Sequence, residues 1–450
     1  MIVIADFYSK KEPYVAKIVI IGAGLTGLST AYHLEKNGFS DYKIFEKDSS
    51  FGGLCRSIVQ DNFIFDYTGH LLHASDPYFQ QLIADVVGFD NMNTVERRSF
   101  IYSHGVYTKY PFQSNLFGLP TNVIAECIEG FARRPIKKSK KILSFHEWVI
   151  HNFGDGIAHH FFFPFQTKIL SHNIKRVTST WMGRFVPNTT LSQLIEGSIA
   201  DKPAAHIGYN AHFVYPKIGG IEFWIKKLAA QLKNEIFINY EAQEINLREK
   251  RVVFSNGHAE PFDILINTMP LDRLLLKLKG NSATPHLART AHKLLCNSVI
   301  NFNIGIGREN ISTKHWIYFP ETQFPFYRIG FPHNFSKNAV PAGCSSLYGE
   351  LSYLRKPKVP VSNLISNALE STKKLLSFDE SEIVTKKIIH IDHAYVIYDF
   401  WREKNLPKIL ARLENSNIFS IGRYGGWKYS SMQEAVLDGK KIAQELCAQL

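Results

Sequence analysis

Apolar positions along the chain switch between two periods, and the switches predict the elements. KIVIIGAG, starting at Lys17, is a short apolar run ending in glycines, as expected of a strand buried on both faces. LTGLSTAYHLEKNG then places Leu25, Leu28, Ala31 and Leu34 at helical spacing and stops at Gly38. YKIFEKD, residues 42–48, predicts a second strand. This β–α–β order predicts a parallel, doubly wound sheet. From about 76 to 205 the pattern is mostly helical, with aromatic patches such as HHFFFPFQ. Beyond it, GGIEFWIKKLAAQLKN predicts a helix, EIFINYEAQEINL paired or consecutive strands, and FDILINTMP a buried strand ending in a turn. SVINFNIGI, HWIYFP and KKIIHIDHAYVIY, within 295–400, predict an antiparallel sheet. NIFSIGRYGGWKYSSMQEAVLDGKKIAQEL predicts strand, glycine turn and terminal helix.

Composition narrows the function classes. At 450 residues, 45% hydrophobic and 20% charged, the chain is too apolar for disorder and long enough for two or three folded units. Lys and Arg number 52 against 40 Asp and Glu, and the net charge of +12 favours acidic ligands. Five cysteines without a C-x-x-C pair argue against a disulfide framework or a cysteine zinc site, and fit a reducing compartment. No run approaches the ~20 apolar residues of a membrane span, and MIVIADFYSKKEPY lacks the form of a signal peptide. A soluble, cytoplasmic protein is expected. The basic run ARRPIKKSKK (132–141) lacks interleaved aromatics, so a solvated loop is expected there rather than a nucleic-acid site. His70 with His73, His159 with His160, and His390 with Asp392 and His393 lack partners at ligand spacing, so no metal is expected.

Gly22, Gly24 and Gly27 form G-x-G-x-x-G between the first strand and helix. Such glycines allow a tight turn and bring backbone N–H groups to a pyrophosphate at a helix N-terminus. Glu46 ends the second strand and is placed to accept from an adenosine ribose. FGGLCRS adds Gly52, Gly53 and Arg56 just beyond that acid, and Gly422, Arg423, Gly425 and Gly426 precede the last helix. A simple NAD domain has no need of these, whereas FAD runs past more backbone. The expected fold class is therefore α/β. Discontinuous segments 15–75, 212–285 and 415–450 would build a Rossmann-like FAD-binding domain. The inserted region 76–211 would be mostly helical and 286–414 an antiparallel-sheet substrate domain.

Further motifs give the chain a resemblance to a family. DYTGHLLH, KYPFQSN, FHEWVIHNFGDGIAHHFFFPFQTKI, TWMGRFV, GYNAHFVYP, HWIYFPETQFPFYR, DHAYVIY, GRYGGWKY and ERRSF together resemble the flavin-dependent UDP-galactopyranose mutases. The likeness is nearest to the eukaryotic type, within the amine-oxidase-like FAD superfamily. It implies catalysis by the N5 nucleophile of reduced FAD, without net redox change, interconverting pyranose and furanose forms of a UDP-sugar. It further implies catalytic roles for His70, Arg184, Arg328, Tyr395 and Tyr429, with the two arginines on the diphosphate. Substrate contacts would fall to Tyr110, Phe112, Gln113, Gln166, Asn210 and Tyr318, and Gly422, Arg423 and Met432 would join the cofactor set. Arg97 and Ser99 match the segment that binds the reductant, NADPH or NADH, and a homo-oligomer is compatible with the family.

The chain also departs from that pattern. Phe335 stands where eukaryotic-type mutases present a tyrosine, Ser431 where bacterial ones carry an acid, and KILSHN (168–173) replaces a tryptophan-containing loop. Two alternatives stay open at this stage: an amine-oxidase-type oxidoreductase or desaturase, and a diverged flavin-binding protein acting on another nucleotide sugar or without turnover.

Overall fold

A computed structural model describes residues 16–135, 143–182, 185–201, 211–282, 284–354 and 360–449. Its first layer is a five-stranded parallel sheet. In spatial order the strands are Ile418–Ser420, Ile264–Asn267, Ile18–Ile21, Tyr42–Phe45 and Ile236–Phe237. Ile18–Ile21 and Ile264–Asn267 are buried at every position, because both faces of a parallel sheet are covered. Three segments far apart in sequence therefore meet in one sheet. The helix Leu25–Lys36 is buried almost all round, since the terminal helix Met432–Cys447 packs on its outer side. Ser29 Oγ donates to the Val436 carbonyl across that contact at 2.8 Å.

The stretch EIFINYEAQEINL forms two consecutive strands in different sheets. Ile236–Phe237 edges the parallel sheet, while Ala242–Asn246 joins Arg251–Phe254, Ala259–Pro261 and Leu278–Lys279.

The third layer is a seven-stranded sheet in the order Ile383–Ile391, Ser298–Ile306, Ser345–Tyr353, Arg328–Gly330, Trp316–Tyr318, Ser99–Ser103 and Val106–Lys109. Its last two strands come from the stretch whose pattern reads as mostly helical, as does Met92–Glu96. The local reason is a tight turn. His104 and Gly105 have φ of 53° and 79°, the pair of positive values that a two-residue hairpin turn requires. The remainder of that stretch is helical: Thr121–Arg133, Phe145–Ile157, Phe163–Leu170 and Leu191–Ile199. Of HHFFFPF, Phe161, Phe162 and Phe163 are buried in this helical core, while His159 is exposed.

One face of the seven-stranded sheet is apolar. Phe302, Ile304, Ile317, Ile329 and Leu347 lie there in a core closed by Ala368 of helix Val361–Leu376. The opposite face carries a polar row set by register: Asn301 lies opposite Glu350, Glu350 opposite Arg328, and Arg328 opposite Tyr318.

Candidate active site

The parallel sheet positions the dinucleotide loop. Gly22 leaves the first strand with φ of 95°. The loop after Glu46 folds back so far that a Cβ on Gly53 would lie 3.2 Å from the Gly24 Cα. Only glycine-lined backbone meets at this junction, which fits a pyrophosphate approaching closely. Glu46 is buried, and its carboxylate accepts from the backbone N–H groups of Ala23 at 2.9 Å and Asp48 at 3.0 Å. Arg56 donates to the Gly53 carbonyl at 2.8 Å and to Asp48 at 3.1 Å, bracing the second glycine turn.

At the C-terminal end, Gly422 adopts φ of 79°. Arg423 donates to the carbonyls of Ser430 at 2.7 Å and Ala394 at 3.0 Å. Ser431 caps the last helix in a reciprocal pair with Glu434, and Met432 begins that helix, buried against the core. Gly27 packs against the Gly22 carbonyl. The double glycine junction and the third glycine turn fit FAD, whose pyrophosphate these residues would hold.

Beside this layer lies a cavity of about 170 Å³, open on one side. Tyr110, Gln113, Gln166, Tyr318, Arg328, Tyr395 and Tyr429 all line it, although they come from six separate stretches of chain. The rings of Tyr110 and Tyr318 are 5.5 Å apart, and the Arg97 guanidinium lies 4.8 Å from the Tyr110 centroid. Gln113 donates its amide to the Pro187 carbonyl at 2.6 Å, which leaves its oxygen to accept. Phe112 is fully buried and stacks on Phe161 beneath the cavity wall, outside the lining. Ser99 is buried at the start of its strand. Arg184 and Asn210 lie outside the described residues. Phe335 also stands away from the lining, in an apolar cluster with Phe213 and Tyr215.

Charge in the cavity is set by Arg328. Its Nε and Nη2 donate to the two oxygens of Glu350 at 2.8 and 2.6 Å, and Glu350 is wholly buried. This side-on pairing spends the Nε–H and one Nη2–H, leaving the end-on fork of Nη1 and Nη2 for a second anion. The buried Glu350 carboxylate holds the Arg328 pKa well above its ordinary value against the opposing effect of burial. Close by, burial and then the Arg423 and Arg328 charges pull the His70 pKa down to about 4, so the imidazole is neutral at pH 7.

Four residues of this site carry no local sequence signal. Glu350 is a lone acid in a buried strand, recognisable only once its register against Arg328 is known. Tyr327, Trp181 and Tyr398 line the cavity among many other aromatics of the chain. Tyr327 and Tyr395 bring their hydroxyls to 3.4 Å.

Among solved structures, a reduced UDP-galactopyranose mutase superposes with a TM-score of 0.91 at 28% identity, over 97% of this chain and 95% of that one. The chain has the UDP-galactopyranose mutase fold. More remotely it is similar to a redesigned putrescine oxidase, with a TM-score of 0.65 at 16% identity over 96% and 99% of the two chains. That second likeness is one of fold alone. Residues 20–86 match the model of the NAD(P)-binding Rossmann-like domain. A 4,4'-diapolycopene oxygenase from Methylomonas sp is 24% identical over 67% of this chain and 65% of its own length. A 4,4'-diapophytoene desaturase from Staphylococcus aureus is 33% identical over 20% of this chain and 18% of its own length. The chain thus spans less than two thirds of the length of these curated relatives. Together the matches place a UDP-galactopyranose mutase fold within the amine-oxidase-like FAD superfamily. Among the described residues no three His, Cys, Asp or Glu side chains are grouped to hold a metal, and no helix is long and apolar enough to cross a membrane.

Proposed function

We propose that the protein is an FAD-dependent sugar-nucleotide mutase that interconverts pyranose and furanose forms of a UDP-hexose, UDP-galactose first. The observation that carries this reading is the end-on fork of Arg328, held by a buried carboxylate at the wall of an aromatic cavity. A rigid guanidinium edge suits a diphosphate, which must be gripped as the anomeric C–O bond breaks and released as it reforms. Arg184 is the proposed second cation. Tyr395, its pKa raised by burial, remains a neutral donor to the same oxygens, and Tyr429, which also lines the cavity, is the second proposed hydroxyl contact. Tyr110 and Tyr318 would pack the uracil, with Gln113 and Gln166 reading its polar edge. The apolar remainder of the lining excludes water, which would otherwise capture the sugar. Reduced FAD, when bound, supplies an electron-rich nitrogen to the anomeric carbon with no net redox change. Arg97 and Ser99 are the proposed contacts of an NADPH or NADH reductant.

The test is anaerobic. Protein reduced with dithionite is mixed with UDP-galactofuranose, and UDP-galactopyranose is sought by chromatography. Binding of UDP without any conversion would reject galactose as the sugar. The identity shared with a 4,4'-diapolycopene oxygenase and a 4,4'-diapophytoene desaturase favours a second reading, an oxidase or desaturase. Oxygen uptake with peroxide release, and no need of a reductant, would support that one instead.

A further inference from the structure

One buried cation stands outside the roles given above. Arg402 lies in the first turn of the helix Phe400–Glu414, and its side chain is 8% exposed. Nε and Nη2 both donate to the Trp427 carbonyl, at 2.9 and 2.6 Å, and Nη1 donates to Glu403 at 2.8 Å. The guanidinium lies 3.7 Å from the centroid of the Tyr398 ring. The helix does not need this side chain for its start, because Asp399 caps it by accepting from the Arg402 N–H at 2.7 Å. A guanidinium is expensive to bury, and this one spends two donors on a single backbone carbonyl.

That carbonyl belongs to a strained turn. Trp427 has φ of 46°, a left-handed conformation that a bulky residue keeps only when its surroundings hold it there. The turn sends the indole of Trp427 wholly into the core and, two residues on, brings Tyr429 to the cavity wall. The Tyr429 N–H donates to the Tyr398 hydroxyl at 2.6 Å, so the ring on which Arg402 lies also holds the Tyr429 backbone. The Tyr429 ring meets Phe185 edge-on at 4.6 Å and lies 5.8 Å from Trp181. Glu403, the other partner of Arg402, accepts from Thr180 Oγ1 at 2.9 Å, beside Trp181. Tyr398, Tyr429 and Trp181 all line the cavity, whereas Arg402 does not. One guanidinium thus braces this wall from behind.

We propose that Arg402 is a positioning residue: by fixing the Trp427 carbonyl in its left-handed turn it aims Tyr429 into the cavity, and so sets the affinity for a nucleoside diphosphate there. This rests on the reading of the cavity as a UDP-sugar site. Lysine is a poor substitute, because an ammonium cannot present a rigid pair of N–H groups to the carbonyl while lying flat on a ring.

The FAD-loaded protein carrying 3-fluorotyrosine at position 429 provides the first test. The rings of Phe185 and Trp181 set its fluorine resonance. In Arg402→Met the resonance should move toward that of free fluorotyrosine, and in Arg402→Lys, which keeps the charge if the first variant fails to fold, it should fall between. Titration calorimetry with UDP on the unlabelled chain is the second test. Arg402→Met and Tyr429→Ala should each weaken binding about tenfold, the effect of one lost hydrogen bond to a charged group, with FAD content at the parent level. The double variant should bind no more weakly than the weaker single, because both changes remove the same contact. A resonance that stays at the parent position in both Arg402 variants would overturn the proposal. So would losses of UDP affinity that multiply in the double variant, or a displaced resonance with UDP affinity within twofold of the parent. A parent protein that binds UDP yet fails to convert UDP-galactofuranose defeats galactose as the sugar and leaves this inference intact. A parent that binds no UDP defeats the reading of the cavity and, with it, the affinity role given to Arg402.

Discussion

Replacing Glu350 by Gln isolates the contribution of the ion pair beneath the cavity. Glu350 is wholly buried, while Arg328 keeps 19% of its side chain exposed at the cavity wall. Breaking a buried pair by removing one partner costs about 3–5 kcal/mol, because a charge is left without compensation. Here the orphaned guanidinium keeps its partial exposure at the cavity wall, which favours the lower end, about 3 kcal/mol. Unfolding entropy of about 2.1 cal/mol/K per residue gives roughly 0.9 kcal/mol/K for a chain this long, so the midpoint should fall by about 3 °C. Glutamine still accepts one hydrogen bond, yet it no longer fixes the fork, and UDP affinity should fall about tenfold. The double variant Arg328→Met with Glu350→Leu removes both charges and should melt close to the parent while failing to bind UDP. Scanning calorimetry and UDP titration calorimetry on the parent, Arg328→Met, Glu350→Leu and the double variant close the cycle and measure both terms. A coupling energy under about 0.5 kcal/mol, together with unchanged UDP affinity in Glu350→Gln, would refute the claim that the pair orients the fork.

Other outcomes follow from the same geometry. Arg328→Ala should lower kcat/KM by about 2–4 kcal/mol of transition-state stabilisation while FAD content stays at the parent level; steady-state kinetics with flavin absorbance checks this. Lys168 donates to the carbonyls of Phe319, Glu321 and Phe326, tying the helix that bears Gln166 to the turn between Tyr318 and Arg328. Lys168→Met should therefore raise the Kd for UDP several-fold, and Lys168→Arg should restore part of it. Acid should destabilise the fold. Burial lowers the pKa of His33 to about 4 and of His315 to about 3, so the unfolded chain takes up their protons first. Their contribution is complete above pH 6.5 and is lost as pH falls toward 4, by roughly 3 kcal/mol each. His70 and His73 act in the same direction, discounted for their partial exposure. Asp66, raised to about 6 by burial, opposes by about 3 kcal/mol as it takes up its proton between pH 6 and 4. Urea midpoints at pH 7.5, 6 and 5 should fall steadily, and a flat series would refute the assignment of neutral buried histidines.

Much of the architecture was legible from periodicity. KIVIIGAG, the following helix, FDILINTMP and the terminal strand–turn–helix each carry their own period and stop signal, and these local signals also fix the glycine junction. The hairpin at Ser99–Lys109 was not, because its turn is His104–Gly105 rather than a familiar Asn-Gly pair, and it interrupts a helical stretch. Resemblance singled out Tyr110, Gln113, Gln166, Tyr318, Arg328, Tyr395 and Tyr429, and the fold gathers them around one cavity. Phe112 and Phe335 could be matched to motifs, but their burial depends on neighbours brought from elsewhere.

The sequence alone determines which segments become strands and helices and which backbone can approach a pyrophosphate, since those depend on residues a few positions apart. Only the tertiary structure decides that Glu350 faces Arg328, because strand register is set by the packing of an entire sheet. A side chain's partner across that sheet is as far away in sequence as the connecting loops happen to be long.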